Sequence, residues 1–513
     1  MSIFAAVMRT TTYKRVLATI AALAAICSAE GATTLPDTTF SSTKGIEYVV
    51  EVRDTVTPAT IGDYVDRYDN RRHTLTFRGS AQRSMPQTGT LTTRPTQIEK
   101  VWEFATAYDS RQTSTGVWGG GSGWTGQPLY VEWSDEEIEA QLATSKAILD
   151  TARREVIVGS LSGEVYFINY DTGKASRRAH NTGNPIKGTV SLDPRLNGNL
   201  YIGQGIPAEE PIGAEVFNIF THRRIAFYGR DSKSWRRWSA YDPSAVLVGD
   251  FIIRASENGT LYKLTADDTR ADIHSLLRYR RRGYPAAGME SSPAVWQNYV
   301  YFSDNSGILL CVNAETMRPV WMFSTGDDSD SSPVVAEEQG RVVLYSGTAV
   351  DKQGESGYCN FTKLDALTGE KIWQQRIPCH KIDYAEKLRE GGMFATPLLG
   401  RANCSHLIFS NVCGWGNDNG TLVAIDRRSG NIVYRTSLDH YSWSSPVALC
   451  TSQGEMFIFT GDVIGNVYLI DALTGKIIFK KRMAWNFESS PVVIDDCVVV
   501  GTRGKHIYKF RIS

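Results

Sequence analysis

The chain lacks any surplus of charge: its 513 residues carry 55 Lys and Arg against 55 Asp and Glu. Such balance exerts no long-range pull on nucleic acid or anionic lipid, so nucleic-acid binding is not expected. Long hydrophobic runs are also missing. The one substantial run, Val16 to Ile26, falls short of the roughly 20 apolar residues that span a bilayer. It follows Arg9, Lys14 and Arg15 and leads into small residues at Ala29 and Ala32, which is the layout of a secretory signal peptide over residues 1–32. The sequence therefore predicts an exported protein (periplasmic, outer-membrane-associated or extracellular) with no transmembrane segment. Cys27 is a candidate lipid anchor.

Familiar catalytic signatures are absent too. There is no Gly-x-Ser-x-Gly elbow, no His-Glu-x-x-His and no Walker loop. The glycine-rich stretch Gly116 to Trp124 runs into a strand pattern, Leu129-Tyr130-Val131, and so lacks the helix N-terminus that would hold a phosphate; it reads as a flexible loop. Beyond Cys27 there are seven cysteines and no Cys-Cys pair. Cys404 and Cys413 flank a plausible hairpin, while the others sit on apolar strand patterns as small fillers.

What the chain does have is 45 glycines and a repeat. Ser-Ser-Pro recurs at Ser291-Ser292-Pro293, Ser331-Ser332-Pro333, Ser444-Ser445-Pro446 and Ser489-Ser490-Pro491, with Ala395-Thr396-Pro397 in the same place in one copy. The interval from proline to proline varies from 40 to 64 residues around a period near 45. A turn recurs as well: Asn313-x-x-Thr316, Asp365-x-x-Thr368, Asp426-x-x-Ser429 and Asp471-x-x-Thr474 each precede an aromatic ring at one spacing, at Trp321, Trp373, Tyr434 and Phe479. About four short strands per period is the signature of a β-propeller, whose blades cannot bury their faces alone. The expected fold is all-β: an eight-bladed β-propeller of four-stranded antiparallel blades, or seven blades if the degenerate second pass is not separate.

The spacing of Lys363, Asp365, Thr368-Gly369 and Trp373 resembles the tryptophan-docking repeat of the PQQ-like propeller family, which includes quinoprotein dehydrogenases and non-catalytic BamB-type relatives. The resemblance is strongest from Gly283 to the C-terminus. It implies that each aromatic packs between neighbouring blades, and that Leu75 to Arg83 is the segment entering the first blade. Residues 33–72 then form a linker or N-terminal extension containing one strand pattern, Ile46 to Val52, and residues 73–513 form the propeller. The first pass opens with Val101-Trp102-Glu103-Phe104, and Ser134-Asp135-Glu136-Glu137 has the capping-box spacing of a short inserted helix.

Ligand-binding residues follow from the repeat. If Ser-Ser-Pro begins equivalent strands, the residues just before it ring one end of the central channel: Glu290, Asp330, Phe394, Trp443 and Glu488, with Trp124 and Trp485 nearby. Carboxylates and flat rings in a funnel suit a sugar, a peptide or a cation. Asp327-Asp328-Ser329-Asp330 is an acidic cluster without the EF-hand glycine and closing glutamate, and is read as a solvated loop. Arg278-Tyr279-Arg280-Arg281-Arg282 is read as an exposed turn or a contact for an acidic partner. The function expected is a non-catalytic scaffold holding a protein partner or a glycan, through one face or through the insertion His380 to Gly392, with no cofactor. The alternatives are a carbohydrate-recognition propeller and an oxidoreductase using PQQ with calcium, which in this family carries the adjacent cysteines that are missing here.

Overall fold

A computed structural model describes residues 33–35, 43–62, 66–68, 72–123, 126–385 and 387–513. The signal-peptide segment, Cys27 and Trp124 lie outside the described residues. The described residues contain eight four-stranded antiparallel units arranged in chain order. The degenerate second pass is one of them, built from Ser191–Leu192, Asn199–Gly203, Ala214–Asn218 and Arg223–Tyr228.

The units close into a ring through the hydroxyl-bearing position of the repeat, next to the start of each innermost strand. Ser244 N donates to Ser292 Oγ (2.9 Å), Ser292 N to Ser332 Oγ (2.8 Å), Ser332 N to Thr396 Oγ1 (3.2 Å), Thr396 N to Ser445 Oγ (2.9 Å) and Ser445 N to Ser490 Oγ (3.1 Å). Ser490 N donates to Gly126 O (3.0 Å), Gln127 N to Thr189 Oγ1 (2.8 Å), and Ser191 Oγ lies 2.7 Å from Ser244 Oγ. Each unit's innermost strand thus hands one bond to the next unit about a common axis, and the buried amides there are satisfied.

On the outside the aromatic residues dock as the repeat implies. Trp321 Nε1 donates to Ala366 O (3.1 Å), Trp373 Nε1 to Arg427 O (3.0 Å) and Tyr434 OH to Ala472 O (2.6 Å), each in the following unit. Asp365, Asp426 and Asp471 cap the receiving turns by accepting from backbone N–H groups two and three residues on. The turn glycine must be glycine: at Gly430 a Cβ would stand 2.7 Å from the Trp373 ring, and its φ is +76°.

Several local expectations change. Val101 to Phe104 belongs to strand Ile98–Ala105, which pairs with the C-terminal strand His506–Ile512 and completes the last unit rather than the first. Trp102 is consequently the docking aromatic of the last unit, with Nε1 donating to Tyr170 O (2.9 Å). Pairing the strand that precedes the first unit with the last strand of the eighth ties the ring shut. Ile46–Val52 is a strand, as its pattern suggested, and it lines the outer edge of the third unit against Ala271–Arg281. The arginine-rich stretch is part of that edge and not an exposed turn: Arg278 pairs with Glu51 (2.8 Å) and Asp231 (2.5 Å), and Arg280 with Glu47 (2.6 Å). Gly116–Gly120 is a strand in a hairpin with Tyr108–Thr113, not a loop. Cys404 and Cys413 do not flank a hairpin, because Leu407–Trp415 is one strand; both thiols are buried and unpaired. The helix Asp135–Thr144 does carry its capping box, Ser134 with Glu137.

Residues 74 to 91 form a plug that threads the channel and touches the units in turn. Thr74 bridges Tyr130 in the first unit, and Leu75 O accepts from Leu192 N in the second. Thr76 Oγ1 donates to Ala245 O in the third (2.9 Å). Ala81 O and Gln82 O accept from Val295 N and Val335 N in the fourth and fifth. Arg401 in the sixth unit donates to Ser84 O and Met85 O. Gly89–Leu91 then adds a parallel strand to the seventh, and Thr90 N reaches Asp495 O in the eighth. Two buried arginines anchor the plug. Arg83 donates to Pro293 O (2.8 Å), Phe77 O (2.9 Å), Ser244 O (3.1 Å) and Thr76 Oγ1 (2.7 Å), and Arg78 to Pro446 O (2.8 Å) and Pro397 O (3.4 Å). Both adopt left-handed backbone, φ 57°, which is unfavourable for non-glycine residues and persists only where surrounding contacts over-determine it.

Candidate functional site

Above the plug, on the axis, lies a cavity of about 20 Å³. Phe77 of the plug forms part of its wall, as do the ring hydroxyl residues Ser292, Ser332 and Thr396. The side chains facing it come from one position of the repeat, two residues before the ring hydroxyl: Asp242, Glu290, Asp330, Phe394 and Trp443, from the third to the seventh unit. Four of the residues expected from the sequence therefore converge. Glu488 holds the same register in the eighth unit but does not line the cavity; its carboxylate lies 3.6 Å from Arg503. Trp485 is exposed and borders a separate depression with Tyr108 and Trp118.

The wall is chemically divided. On one side the rings pack together, Phe394 with Trp443 (centroids 5.2 Å apart) and Trp443 with Tyr441 (5.1 Å), and Tyr384 of the insertion closes on Tyr441 (5.5 Å). Such offset and edge contacts fix the rings beyond what burial alone would do. The insertion is tied down by its own pairing: Ala349–Val350 pairs with Gly391–Gly392, which pairs with Leu407–Trp415, so the fifth and sixth units share one continuous sheet.

The other side is acidic. Asp242, Glu257 and Glu290 present carboxylate oxygens that all lie within 4.8 Å of one another, a grouping that could hold a metal ion. Lys187, at the same repeat position in the second unit, contacts Asp242 and stands 3.8 Å from Glu257. Burial alone would lower the Lys187 pKa, but Asp242, Glu257 and Glu290 overcome it and hold the ammonium charged. Carboxylates still outnumber cations. Asp242 Oδ1 is buried with no hydrogen-bond partner among the described residues. Burial, then the neighbouring Glu290, raises Glu257 well above the carboxylate range; burial, then Asp328 and Glu290, does the same to Asp330. Asp328 is pushed up to about 7 by burial, with Lys352 opposing and Glu290 and Glu390 adding to it, and Glu390 reaches about 7 by burial and then Asp351.

The acidic stretch Asp327 to Asp330 is thus not a solvated loop. Asp327 accepts from the backbone of Asp351 and Lys352 and from Gln353, Asp328 faces Lys352 at 3.4 Å, and Asp330 points to the axis. Sequence reasoning missed Asp242, Lys187 and Glu257. The first two were within reach, since Asp242-Pro243-Ser244 and Lys187-Gly188-Thr189 occupy the frame of Glu290-Ser291-Ser292; Glu257 comes from a different loop and gave no signal.

Fold and site together define a β-propeller with a plugged channel and an acidic, aromatic-walled end. Residues 280–384 and 418–513 match the family described as outer membrane protein assembly factor BamB, so these stretches carry BamB-type repeats. The outer membrane protein assembly factor BamB of Kangiella koreensis is 24% identical over 153 residues, which is 30% of this chain and 31% of that protein; the match spans about a third of the relative's length. Among solved structures, a europium-containing methanol dehydrogenase matches with TM-score 0.60 at 11% identity, over 86% of this chain and 99% of that one. BamB from Moraxella catarrhalis matches with TM-score 0.50 at 15% identity, over 81% of this chain and all of that one. At these identities the structural likeness concerns the fold. No helix among the described residues is long and apolar enough to cross a membrane.

Proposed function

We propose that the protein is an exported, non-catalytic propeller that holds a protein partner at the axial end bearing Glu290, Asp330, Phe394 and Trp443. The observation that carries this reading is the site's size. Pockets that enclose cofactor-sized molecules run to roughly 300–1,000 Å³, whereas this cavity measures about 20 Å³ and has plug residue Phe77 in its wall. That size favours a guest smaller than a tricyclic quinone, and the adjacent cysteines that accompany PQQ in the family are missing from the sequence. The BamB-type repeats favour a protein as the guest, and the insertion His380 to Gly392 offers it a second contact beside the aromatic wall. Export rests on the charged and apolar pattern of residues 1–32, with Cys27 as the point at which the mature chain would be acylated.

The test is to supply PQQ with Ca²⁺ to the full chain and follow cofactor absorbance and dye reduction with alcohols and sugars. The expected result is neither uptake nor turnover; sustained dye reduction would replace the scaffold with an oxidoreductase. Cross-linking in the native envelope should map a protein to the insertion, while saturable binding to a glycan array without any such cross-link would favour the carbohydrate reading. Intact mass of the mature chain reports the cleaved leader and any acyl group.

A further inference from the structure

We propose that the axial cavity recognises a single primary alkylammonium group, the end of a lysine side chain presented by the partner; this deepens the scaffold reading and rests on it. Three independent features converge. The first is an unmet acceptor: Asp242 is 96% buried (relative exposure 4%), lines the cavity, and its Oδ1 has no hydrogen-bond partner among the described residues. The second is an excess of carboxyl groups. Glu290 and Asp330 line the same cavity, while of the cations nearby Lys187 is engaged with Asp242 and Glu257 and Arg236 donates to Glu257 O. The third is shape, because a cavity of about 20 Å³ admits one small group.

Other cations fit less well. A hard divalent ion wants six to eight oxygens or its own waters, and here the nearest carboxylate triad is shared with the Lys187 ammonium while Phe77, Phe394 and Trp443 take up much of the remaining wall. A guanidinium is planar and carries five donors in a fixed fork, more than the cavity can seat. An ammonium on a narrow stem has three donors for the oxygens on the wall, Asp242 and Glu290 first among them, and its charge is favoured against the Phe394 and Trp443 rings. The crowded carboxyl groups on this side, whose pKa values burial and neighbouring carboxylates raise, are relieved when such a group arrives.

The experiment titrates the full chain with n-butylammonium chloride, Nα-acetyl-lysine methylamide, guanidinium chloride and CaCl₂, reading heat and tryptophan fluorescence. Saturable binding of the two ammonium probes, with Asp330→Asn and Glu290→Gln each weakening it at least tenfold and Trp443→Phe much less, supports the proposal. No saturable binding of either amine, equal affinity in the Asp330→Asn/Glu290→Gln double variant, or a response to Ca²⁺ alone overturns it. The lysine source is supported if the acetyl-lysine derivative binds more tightly than butylammonium and overturned if the order is reversed. Thermal melts confirm that these near-isosteric variants fold. Partner cross-linking in the double variant separates the two readings: a partner still held there leaves the scaffold standing and removes the ammonium site, whereas no partner in the wild type removes the scaffold itself.

Discussion

The two ends of the channel both bury charge, and they treat it in opposite ways. On the plug side Arg83 donates from all three guanidinium nitrogens, and Arg78 from both terminal ones with only its Nε lacking a partner among the described residues, to carbonyls and a hydroxyl contributed by the plug and by the third, fourth, sixth and seventh units. Burial pulls the Arg78 pKa down to about 9 and that of Arg83 to about 10, yet both stay charged at neutral pH. On the cavity side the charges are carboxylates with too few cations and an unmet oxygen at Asp242. A buried charge whose hydrogen bonds are complete is a fixed part of the architecture. One that is incomplete costs stability, and a group that completes it recovers that cost.

The largest expected effect comes from breaking the satisfied end. Arg83→Met leaves the carbonyls of Pro293, Ser244 and Phe77 without their donor and should cost about 3 kcal/mol or more, at about 1–3 kcal/mol for each buried acceptor left unmet, read as a fall in the denaturant midpoint; a loss under about 1 kcal/mol would mean that the plug is not an anchor. Trp373→Ala, which empties the docking site over Gly430, should cost about 3 kcal/mol without altering ligand titrations at the axis.

Asp328→Asn sharpens the contrast with the opposite sign. The folded-state pKa of Asp328, about 7, stands above its ordinary 3.8, so between pH 4 and 7 the native state binds more protons than the unfolded one. Stability is therefore lost as pH rises through that window. The carboxyl faces Lys352, Glu290, Glu390 and Asp351. Removing its charge should raise stability at pH 8 by at least about 1 kcal/mol, one pK unit's worth, and leave it unchanged at pH 4, measured by denaturation at both values; equal melts at pH 8 would remove the claim that this end is strained. The smallest effect belongs to Trp485→Ser, exposed and off the axis, which should stay within about 0.5 kcal/mol.

Much of this was legible in the chain. The Ser-Ser-Pro positions marked the ring hydroxyls, and residues two places before them, Glu290, Asp330, Phe394 and Trp443, do meet at the axis. Trp321, Trp373 and Tyr434 dock where the spacing put them. Those features are local: an Asx-capped turn, a short strand and a ring at fixed offset leave a periodic trace. The misassigned elements involve distant pairing. Ile98–Ala105 follows the plug in sequence but pairs some 400 residues away, and Arg278 to Arg282 looked exposed because its acidic partners, Glu47, Glu51 and Asp231, come from elsewhere in the chain.

By itself, then, the sequence determined the repeat, the strand character of each pass and the ring of residues facing the axis, because each copy encodes its own turns and faces. Only the tertiary structure decided that residues 74 to 91 stop the channel, that Lys187 and Glu257 join the acidic wall, and that the remaining space is the size of one small group. Those outcomes depend on how eight separately encoded units converge on a single axis, and no single repeat contains that information.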